Sequence, residues 1–289
     1  MAQLLGTGGD NPLGSFTFTS VRFLIGAVAL LPVAMFFRAR AKSGAGGGSG
    51  EKDLRVTVKA GAICGAILYV ASCSQQFGIV ITNSAGKAGF ITGLYIVLVP
   101  LVGSFFGRVP GLLTWIGAFF CCGGLYFLSV SESDGAFGIG DIVLLVGALM
   151  WTAHILVVDR YGGRIDPLFM SLTQFVVCGT LSGVSALIFE RTTLAQLTAV
   201  ALPVLYCGVV SVGIAYTLQI IGQRHVKPAK AAIIFSLEAV FAAITAYFVV
   251  HETLSVRGYF GCGLIFAGIL LAQVPAKQSK QSKQADKIT

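Results

Sequence analysis

The chain has 289 residues, of which 55% are hydrophobic and only 11% charged, and its mean hydropathy is +0.85. This composition lies far outside the range of water-soluble domains of similar length, so it excludes a soluble enzyme or binding domain. Nine apolar segments of about 20 residues would each form a helix about 30 Å long, which matches the hydrocarbon thickness of a bilayer. In chain order they cover residues 15–37, 59–82, 86–107, 111–130, 139–158, 167–189, 199–221, 229–250 and 256–274. The sequence therefore predicts an all-α, polytopic membrane helix bundle with nine transmembrane helices.

The positive charges are distributed unevenly between the loops. When alternate loops are assigned to opposite sides of the membrane, all but four of the 20 Lys and Arg fall on one side, the exceptions being Lys87, Arg191, Arg257 and, within a span, Arg22. Because Lys- and Arg-rich loops stay in the cytoplasm, we predict a multi-pass protein of the plasma (cytoplasmic) membrane with a cytoplasmic C-terminus. The net charge is +8. Because the positive charges lie in short loops beside the membrane, we predict anionic membrane lipids as partners and no binding of nucleic acid.

Small residues are frequent within the predicted spans. All seven cysteines lie there, and an odd number without a Cys-x-x-Cys pair argues against a disulfide framework or a zinc site. We predict neither a metal nor a cofactor. Glycines recur seven residues apart in the fourth and the last span, at Gly117 and Gly124 and at Gly261 and Gly268, a spacing that permits close helix contact.

The two halves of the chain resemble each other. At an offset of 143 residues, Gly-Lys-Ala at 86–88 matches Ala-Lys-Ala at 229–231, and Tyr95 matches Glu238. We predict a first membrane repeat over residues 1–130, a second repeat over 131–275 and a disordered cytoplasmic tail over 276–289. Near the N-terminus the offset between matching residues grows to about 155. The segment that matches span 139–158 in the first repeat would therefore lie before the first residue. The expectation is thus a ten-helix fold of two inverted five-helix repeats that lacks most of its first helix.

Three motifs in order along the chain carry a resemblance to a known family. They lie at residues 12–23, in the Ser-Leu-Glu-Ala-Val-Phe-Ala run at 236–242, and in His-Glu-Thr-Leu at 251–254. By their order, spacing and topology the chain resembles EamA-type members of the drug/metabolite transporter superfamily. The resemblance implies ten helices, cytoplasmic termini, a cavity between the repeats, and export of small metabolites or drugs. Ala239 stands where such proteins often have proline, so the resemblance alone does not predict a kink beside Glu238.

One acidic residue lies deep in a predicted span. Glu238 is about 14 Å from the start of the eighth span, near the middle of the bilayer. A carboxylate at this depth costs roughly a few kcal/mol unless a cationic substrate, a proton, a polar partner or water in a cavity compensates it. We therefore take Glu238 as the main candidate for substrate binding or proton coupling, with a structural glutamate bonded to a neighbouring helix as the alternative.

Neutral polar residues within the spans are further candidates for the substrate site. Tyr95 is the foremost of them, because inverted symmetry would bring it to the same central site as Glu238. The amides of Gln75, Gln76 and Gln219 can bind polar groups of a cargo. Each of these side chains can equally serve as an interhelical hydrogen bond worth under about 1 kcal/mol.

The remaining candidates are basic residues. Arg22 either binds an anionic substrate or orients a neighbouring helix through bidentate hydrogen bonds. His154, next to Trp151, either relays protons or, as we expect, lies at the membrane interface under an aromatic belt. Lys87 and Lys230 match in the repeat and lie at helix starts, where we expect side chains that reach to the interface, the alternatives being attraction of substrate or pairing with lipid phosphate.

These features together indicate a secondary transporter that moves a small metabolite or drug by alternating access, with protons as a candidate coupling ion. An integral-membrane enzyme acting on a lipid-soluble substrate is the first alternative. The three histidines, the lack of clustered carboxylates and the absence of His-Glu-x-x-His or a phosphate-binding loop lead us to predict no enzymatic activity. A non-transporting receptor is the second alternative, and the sequence leaves a homodimer open.

Overall fold

The computed structural model describes residues 13–42, 54–107, 110–130, 137–163, 165–250 and 255–274. Within these residues nine helical segments are long and apolar enough to cross a membrane, and no strand occurs. They are Ser15–Arg40, Leu54–Thr82, Ala85–Phe105, Leu112–Ser129, Ile139–Tyr161, Pro167–Phe189, Ala201–Gln223, Pro228–Thr245 and Val256–Gln273. Each overlaps a predicted span, so the prediction of a polytopic helical bundle is confirmed. The predictions for the N-terminal residues 1–12, the motif 251–254 and the tail 276–289 concern residues outside the described part.

Thirteen α-helices and one π-helical segment, Cys207–Tyr216, make up these spans and their connections. The α-helices are α1 (Ser15–Lys42), α2 (Leu54–Thr82), α3 (Ala85–Gly93), α4 (Tyr95–Phe105), α5 (Leu112–Ser129), α6 (Ile139–Tyr161), α7 (Pro167–Phe189), α8 (Leu194–Ala199), α9 (Ala201–Tyr206), α10 (Thr217–Gln223), α11 (Pro228–Phe235), α12 (Leu237–Val250) and α13 (Val256–Gln273). Helices α1 and α2 extend beyond the predicted spans into charged sequence, because Lys and Arg are good helix formers whose head groups stay in water.

Successive spans run in opposite directions, as contacts at the two ends of the bundle show. At one end the Glu190 carboxylate, just after α7, accepts hydrogen bonds of 2.8 Å from the backbone N–H groups of Phe16 and Thr17 in the first turn of α1. At the other end the backbone N–H of Asp166, before α7, donates to Thr57 Oγ1 in α2 (3.2 Å). Following the charge-based prediction, we call the end where α3, α6 and α13 begin the outer end, and the opposite one the inner end.

Helices α5 and α13 approach each other through glycines. A Cβ atom on Gly124 would lie 2.6 Å from the carbonyl oxygen of Gly261, and one on Gly117 would lie 2.5 Å from that of Gly268. Such distances leave no room for a side chain, so these four residues allow the two backbones to touch. As their sequence spacing predicted, they form a close helix contact.

Two spans are locally distorted at positions that differ by one residue in the repeat. The third span breaks at Leu94, between α3 and α4, and the eighth breaks at Ser236, between α11 and α12. At each break the helix tightens, because Leu94 N–H bonds to the carbonyl of Ile91 (3.2 Å) and Ser236 N–H to that of Ile233 (3.1 Å). Both residues keep right-handed helical dihedral angles, so each span continues past the break with a local change in its hydrogen bonding.

The break in the eighth span occurs without the proline that the family often has. Ser236 Oγ donates a 2.6 Å hydrogen bond to the Ile233 carbonyl and thereby occupies an acceptor of the preceding turn. Local side-chain bonds of this kind compete with the regular helical pattern. Ala239 is thus compatible with a break beside Glu238, which the resemblance alone did not predict.

The core is divided into two main clusters. The first joins α1, α2, α6, α7 and the π-helical segment around buried side chains that include Phe23, Leu68 and Phe175. The second joins α4, α5, α11, α12 and α13 around residues that include Ile96 and Ile265. Tyr95, at the start of α4, packs against both clusters. The space between the clusters is where the candidate site lies.

Candidate functional site

A cavity of about 600 Å³ lies between the two core clusters. We call it the deep cavity. Its lining comes from α2, α3, α4, α6, α10, α11, α12 and the π-helical segment, and its polar or aromatic members include Gln75, Tyr95, Trp151, Tyr216, Gln219 and Glu238. The volume is that of a site for a small-molecule ligand. Four of the residues proposed from the sequence, Gln75, Tyr95, Gln219 and Glu238, are brought together here.

A second cavity of about 990 Å³ adjoins the first and leads to the outer end. We call it the vestibule. It shares Gln75, Thr92, Tyr95, Phe235 and Glu238 with the deep cavity. Toward the outer end its lining includes the start of α3, the end of α5 and the start of α13, at Ala85, Ser129, Val130, Ser255 and Arg257. Glu238 is therefore reached from the outer end through the vestibule.

The inner side of the deep cavity is closed by packed side chains. Ile155, which lines the cavity, packs with Val99 and Ala232, and all three are buried. These residues come from α6, α4 and α11, so one contact joins parts of both halves of the chain. The vestibule thus extends from Glu238 toward the outer end, and packed side chains lie on the inner side of the deep cavity.

The helix breaks place Tyr95 and Glu238 at equivalent positions around the cavity. Tyr95 is the first residue of α4 and Glu238 the second residue of α12. The two side chains therefore lie at matching places along the two spans.

Glu238 has no ion pair within the part of the chain that the structure describes. No Lys, Arg or His there lies within ion-pair distance of its carboxylate, whereas Lys87 and Asp141 do form a pair. Glu238 faces both cavities instead. The carboxylate is available to a proton, to water or to a cationic group of a cargo.

Stacked aromatic rings form one wall of the deep cavity. The rings of Trp151 and Tyr216 lie 5.8 Å apart between centroids and are almost parallel, at 13°. Tyr216 also stacks against Phe23 (6.0 Å, 22°), which is completely buried in the first core cluster together with Phe175. The wall therefore rests on packed core side chains and is fixed in position.

Close backbone contact holds the π-helical segment against α1 and so positions Tyr216. A Cβ atom on Gly26 would lie 2.5 Å from Val212 Cγ1, and one on Gly208 would lie 2.6 Å from Ile25 Cγ2. Segments of π-helix are rare and occur frequently at functional sites. This segment was not predictable from the sequence, because the hydropathy of its span is that of an ordinary transmembrane helix.

Three of the proposed site residues lie outside the deep cavity. Gln76 is buried beside it, on α2. Arg22 has its guanidinium carbon 5.1 Å and 5.2 Å from the ring centroids of Phe18 and Phe23, a cation–π arrangement on α1. His154 is completely buried, and its Nε2 lies 3.0 Å from Gln174 Oε1. The His154 side chain is therefore inside the bundle and not exposed to lipid, while its depth in the membrane and its role stay predictions.

Lys87 is engaged within the protein. Its Nζ lies 2.9 Å from Asp141 Oδ2, and the Asp141 side chain is only 1% exposed. The same carboxylate oxygen accepts a 2.7 Å hydrogen bond from the N–H of Gly138, which caps α6. The expectation that Lys87 reaches to the interface is corrected accordingly. The ion pair joins the starts of α3 and α6 at the outer end.

Several lining residues were missed in the sequence. Thr92 and Phe235 lie one helical turn before Tyr95 and Glu238, and they match each other at the same offset of 143 residues. Residues one helical turn apart lie on the same face of a helix, so the internal repeat that pairs Tyr95 with Glu238 would also have identified Thr92 and Phe235. Arg257 lines the vestibule, and its position in sequence gave no comparable signal. Within the described part no group of three or more His, Cys, Asp or Glu is arranged to hold a metal ion.

Comparison with known proteins gives three findings. The sequence model of the EamA-like transporter family matches residues 9–130 and 138–273. An uncharacterized transporter of Archaeoglobus fulgidus is 30% identical over 265 residues, which cover 91% of this chain and 78% of that protein. A crystal structure of a protein superimposes with a TM-score of 0.73 at 18% identity, covering 96% of this chain and 94% of that chain. At that identity the structural likeness concerns the fold alone.

Proposed function

Because the chain belongs to the EamA-like transporter family, it is a multi-pass membrane transporter of the drug/metabolite type, and we propose that it works as a secondary transporter by alternating access. The deep cavity is the binding site for a small metabolite or drug. The observation that carries this proposal is the Glu238 carboxylate, which faces the cavity and has no ion-pair partner among the described residues. Tyr95, Gln75 and Gln219 complete the polar contacts of the cargo.

Alternating access is supported by the placement of the closed and open ends. In the present conformation the vestibule reaches Glu238 from the outer end, while Val99, Ile155 and Ala232 close the inner end. In many transporters built from inverted repeats, one repeat rocks against the other around a fixed midplane site. We assign the breaks at Leu94 and Ser236 to that site, around which the inner contact opens and the vestibule closes.

Proton coupling follows from the chemistry of Glu238. A carboxylate in a low-dielectric site is stabilised when a proton or a cation occupies it. In the proposed cycle Glu238 holds a proton when the cavity contains no cargo and releases it when cargo binds. With the outer end at the cell exterior, as the charge distribution predicts, an inward proton movement drives export across the plasma membrane.

A metabolite profile tests the function without a prior choice of cargo. Cells with the wild-type gene, with Glu238→Gln and with no gene are compared for compounds inside the cell and in the medium. We expect at least one small compound to be depleted inside and enriched outside only with the wild-type protein, at equal membrane insertion of the variant. Identical profiles for the wild type and Glu238→Gln would contradict the role of the carboxylate.

The compound found in this way is then supplied to proteoliposomes. We expect saturable flux that increases when a pH gradient is imposed, because each cycle moves a proton in the direction opposite to that of the cargo. Flux that is unchanged after the gradient is collapsed would indicate a uniporter and would remove proton coupling from the proposal.

A further inference from the structure

The deep cavity combines aromatic side chains with a single charged group. Tyr95, Trp151, Tyr216 and Phe235 all contribute to its lining, and Glu238 is the one ionisable acidic or basic side chain among the described lining residues. The rest of the wall is largely apolar, with Ile155, Ile234 and Leu237. A cavity with this composition attracts positive charge and apolar surface together.

Building on the proposed function, we propose that the cargo is an organic ammonium ion, a protonated amine or a quaternary ammonium group on a small aromatic or aliphatic body. The ammonium group binds at the Glu238 carboxylate, which supplies the opposite charge in the cavity. The attraction between opposite charges is stronger in a site from which water is excluded. The apolar body lies against the aliphatic residues and is limited in size by the cavity of about 600 Å³.

The aromatic wall is held in a fixed arrangement. Trp151 and Tyr216 stack at 13°, and Tyr216 also stacks against Phe23. Because these rings are held by the core, little side-chain freedom is lost when the cargo binds. The wall strengthens binding, and the Glu238 carboxylate provides the preference for a cation.

An anionic cargo meets opposing electrostatics in the same cavity. It would bring like charge to Glu238, and no Lys or Arg is among the described residues that line the deep cavity. Arg257 lines the vestibule, where its guanidinium carbon lies 5.0 Å from the ring centroid of Tyr126 and 5.6 Å from that of Phe127. This positive charge is at the mouth of the pathway, and the binding site proper contains the negative one.

The chain offers its own reporter for a binding experiment. It has two tryptophans, Trp115 on α5 and Trp151 in the cavity wall. In a Trp115→Phe background the fluorescence comes from Trp151 alone. The purified full-length variant in lipid nanodiscs is titrated with benzyltrimethylammonium as the cation, benzyl alcohol as the neutral probe and phenylacetate as the anion.

We expect a saturable change of Trp151 fluorescence with benzyltrimethylammonium and at least tenfold weaker binding of the other two probes. Glu238→Gln in the same background should weaken binding of the cation at least tenfold. Glu190→Gln, which changes a carboxyl to an amide at the start of α1 and away from the cavity, serves as the matched control and should leave the dissociation constant unchanged.

Equal binding of the three probes, or an unchanged dissociation constant in Glu238→Gln, would overturn the inference. If Glu238→Gln does not fold, the comparison of probes in the Trp115→Phe protein decides alone. Proteoliposomes separate this inference from the proposed function. Saturable flux of an anion or a neutral compound would refute the cation preference but would support the proposed transport function. Binding of the cation without flux of any compound would refute transport.

Discussion

The glycine contact between α5 and α13 yields a prediction that can be worked from the structure. In Gly124→Ala the new Cβ atom would lie 2.6 Å from the backbone oxygen of Gly261 and 2.7 Å from Ile265 Cγ1. A backbone oxygen cannot rotate away, so the two helices must separate. Gly123 is the matched control, because a Cβ atom there would meet nothing within 4 Å.

The expected magnitude combines two opposing contributions. Alanine in place of glycine favours a helix by up to about 1 kcal/mol, and this gain applies equally to Gly123→Ala and Gly124→Ala. Forcing an extra carbon into a packed contact costs about 1 to 3 kcal/mol, and this loss applies to Gly124→Ala alone. Gly124→Ala should therefore be less stable than Gly123→Ala by about 1 to 3 kcal/mol.

The free energy of unfolding is measured by reversible titration with denaturing detergent. On the partner helix Gly261→Ala should behave as Gly124→Ala does, while Gly263→Ala, which has open space around its Cβ position, should behave as Gly123→Ala does. The double variant Gly124→Ala/Gly261→Ala should lose less than the sum of the single losses, since one separation of the helices relieves both contacts. Equal stabilities of Gly123→Ala and Gly124→Ala would refute the close approach.

Variants at three further contacts can be tested. Asp141→Asn removes the ion pair between Asp141 and the partly buried Lys87 ammonium, and it should lower the free energy of unfolding by about 3 kcal/mol. Most of this loss should be recovered in the double variant Lys87→Gln/Asp141→Asn. Glu190→Ala removes the acceptor at the start of α1 and should cost about 1 to 2 kcal/mol in the same titration. Ser236→Ala should slow transport, whereas Ser104→Ala, which loses a similar side-chain bond away from the cavity, should not, and equal rates would argue against the break as a moving part.

The spans were predictable because a bilayer places a strong constraint on composition. About 20 apolar residues suffice to identify a transmembrane helix whatever its neighbours are. The discontinuities at Leu94 and Ser236 were not predictable from hydropathy, since the residues on both sides are equally apolar and no proline marks either break. They depend on a local side-chain bond and on the packing of the surrounding helices.

The candidate site was partly predictable through the internal repeat. The offset that pairs Tyr95 with Glu238 follows from sequence, and both residues line the deep cavity. The roles of Lys87 and His154 were not predictable in the same way, because their partners Asp141 and Gln174 are distant in sequence or lie on another helix. Tertiary contacts decide whether a polar residue in a span faces a cavity, a partner or the membrane.

The central claim is that one cavity containing Glu238 opens alternately to the two sides of the membrane. Gly89 lines the vestibule, and a Cβ atom there meets nothing within 4 Å, so Gly89→Cys introduces a thiol without disturbing the packing. The measurement is the rate at which a membrane-impermeant maleimide, added outside, modifies this thiol in proteoliposomes, with the unsubstituted protein as background. We predict ready modification that slows at least tenfold when the transported compound is present on both sides, and no slowing in Gly89→Cys/Glu238→Gln. A rate that does not respond to the compound, in protein that transports it, would contradict the account.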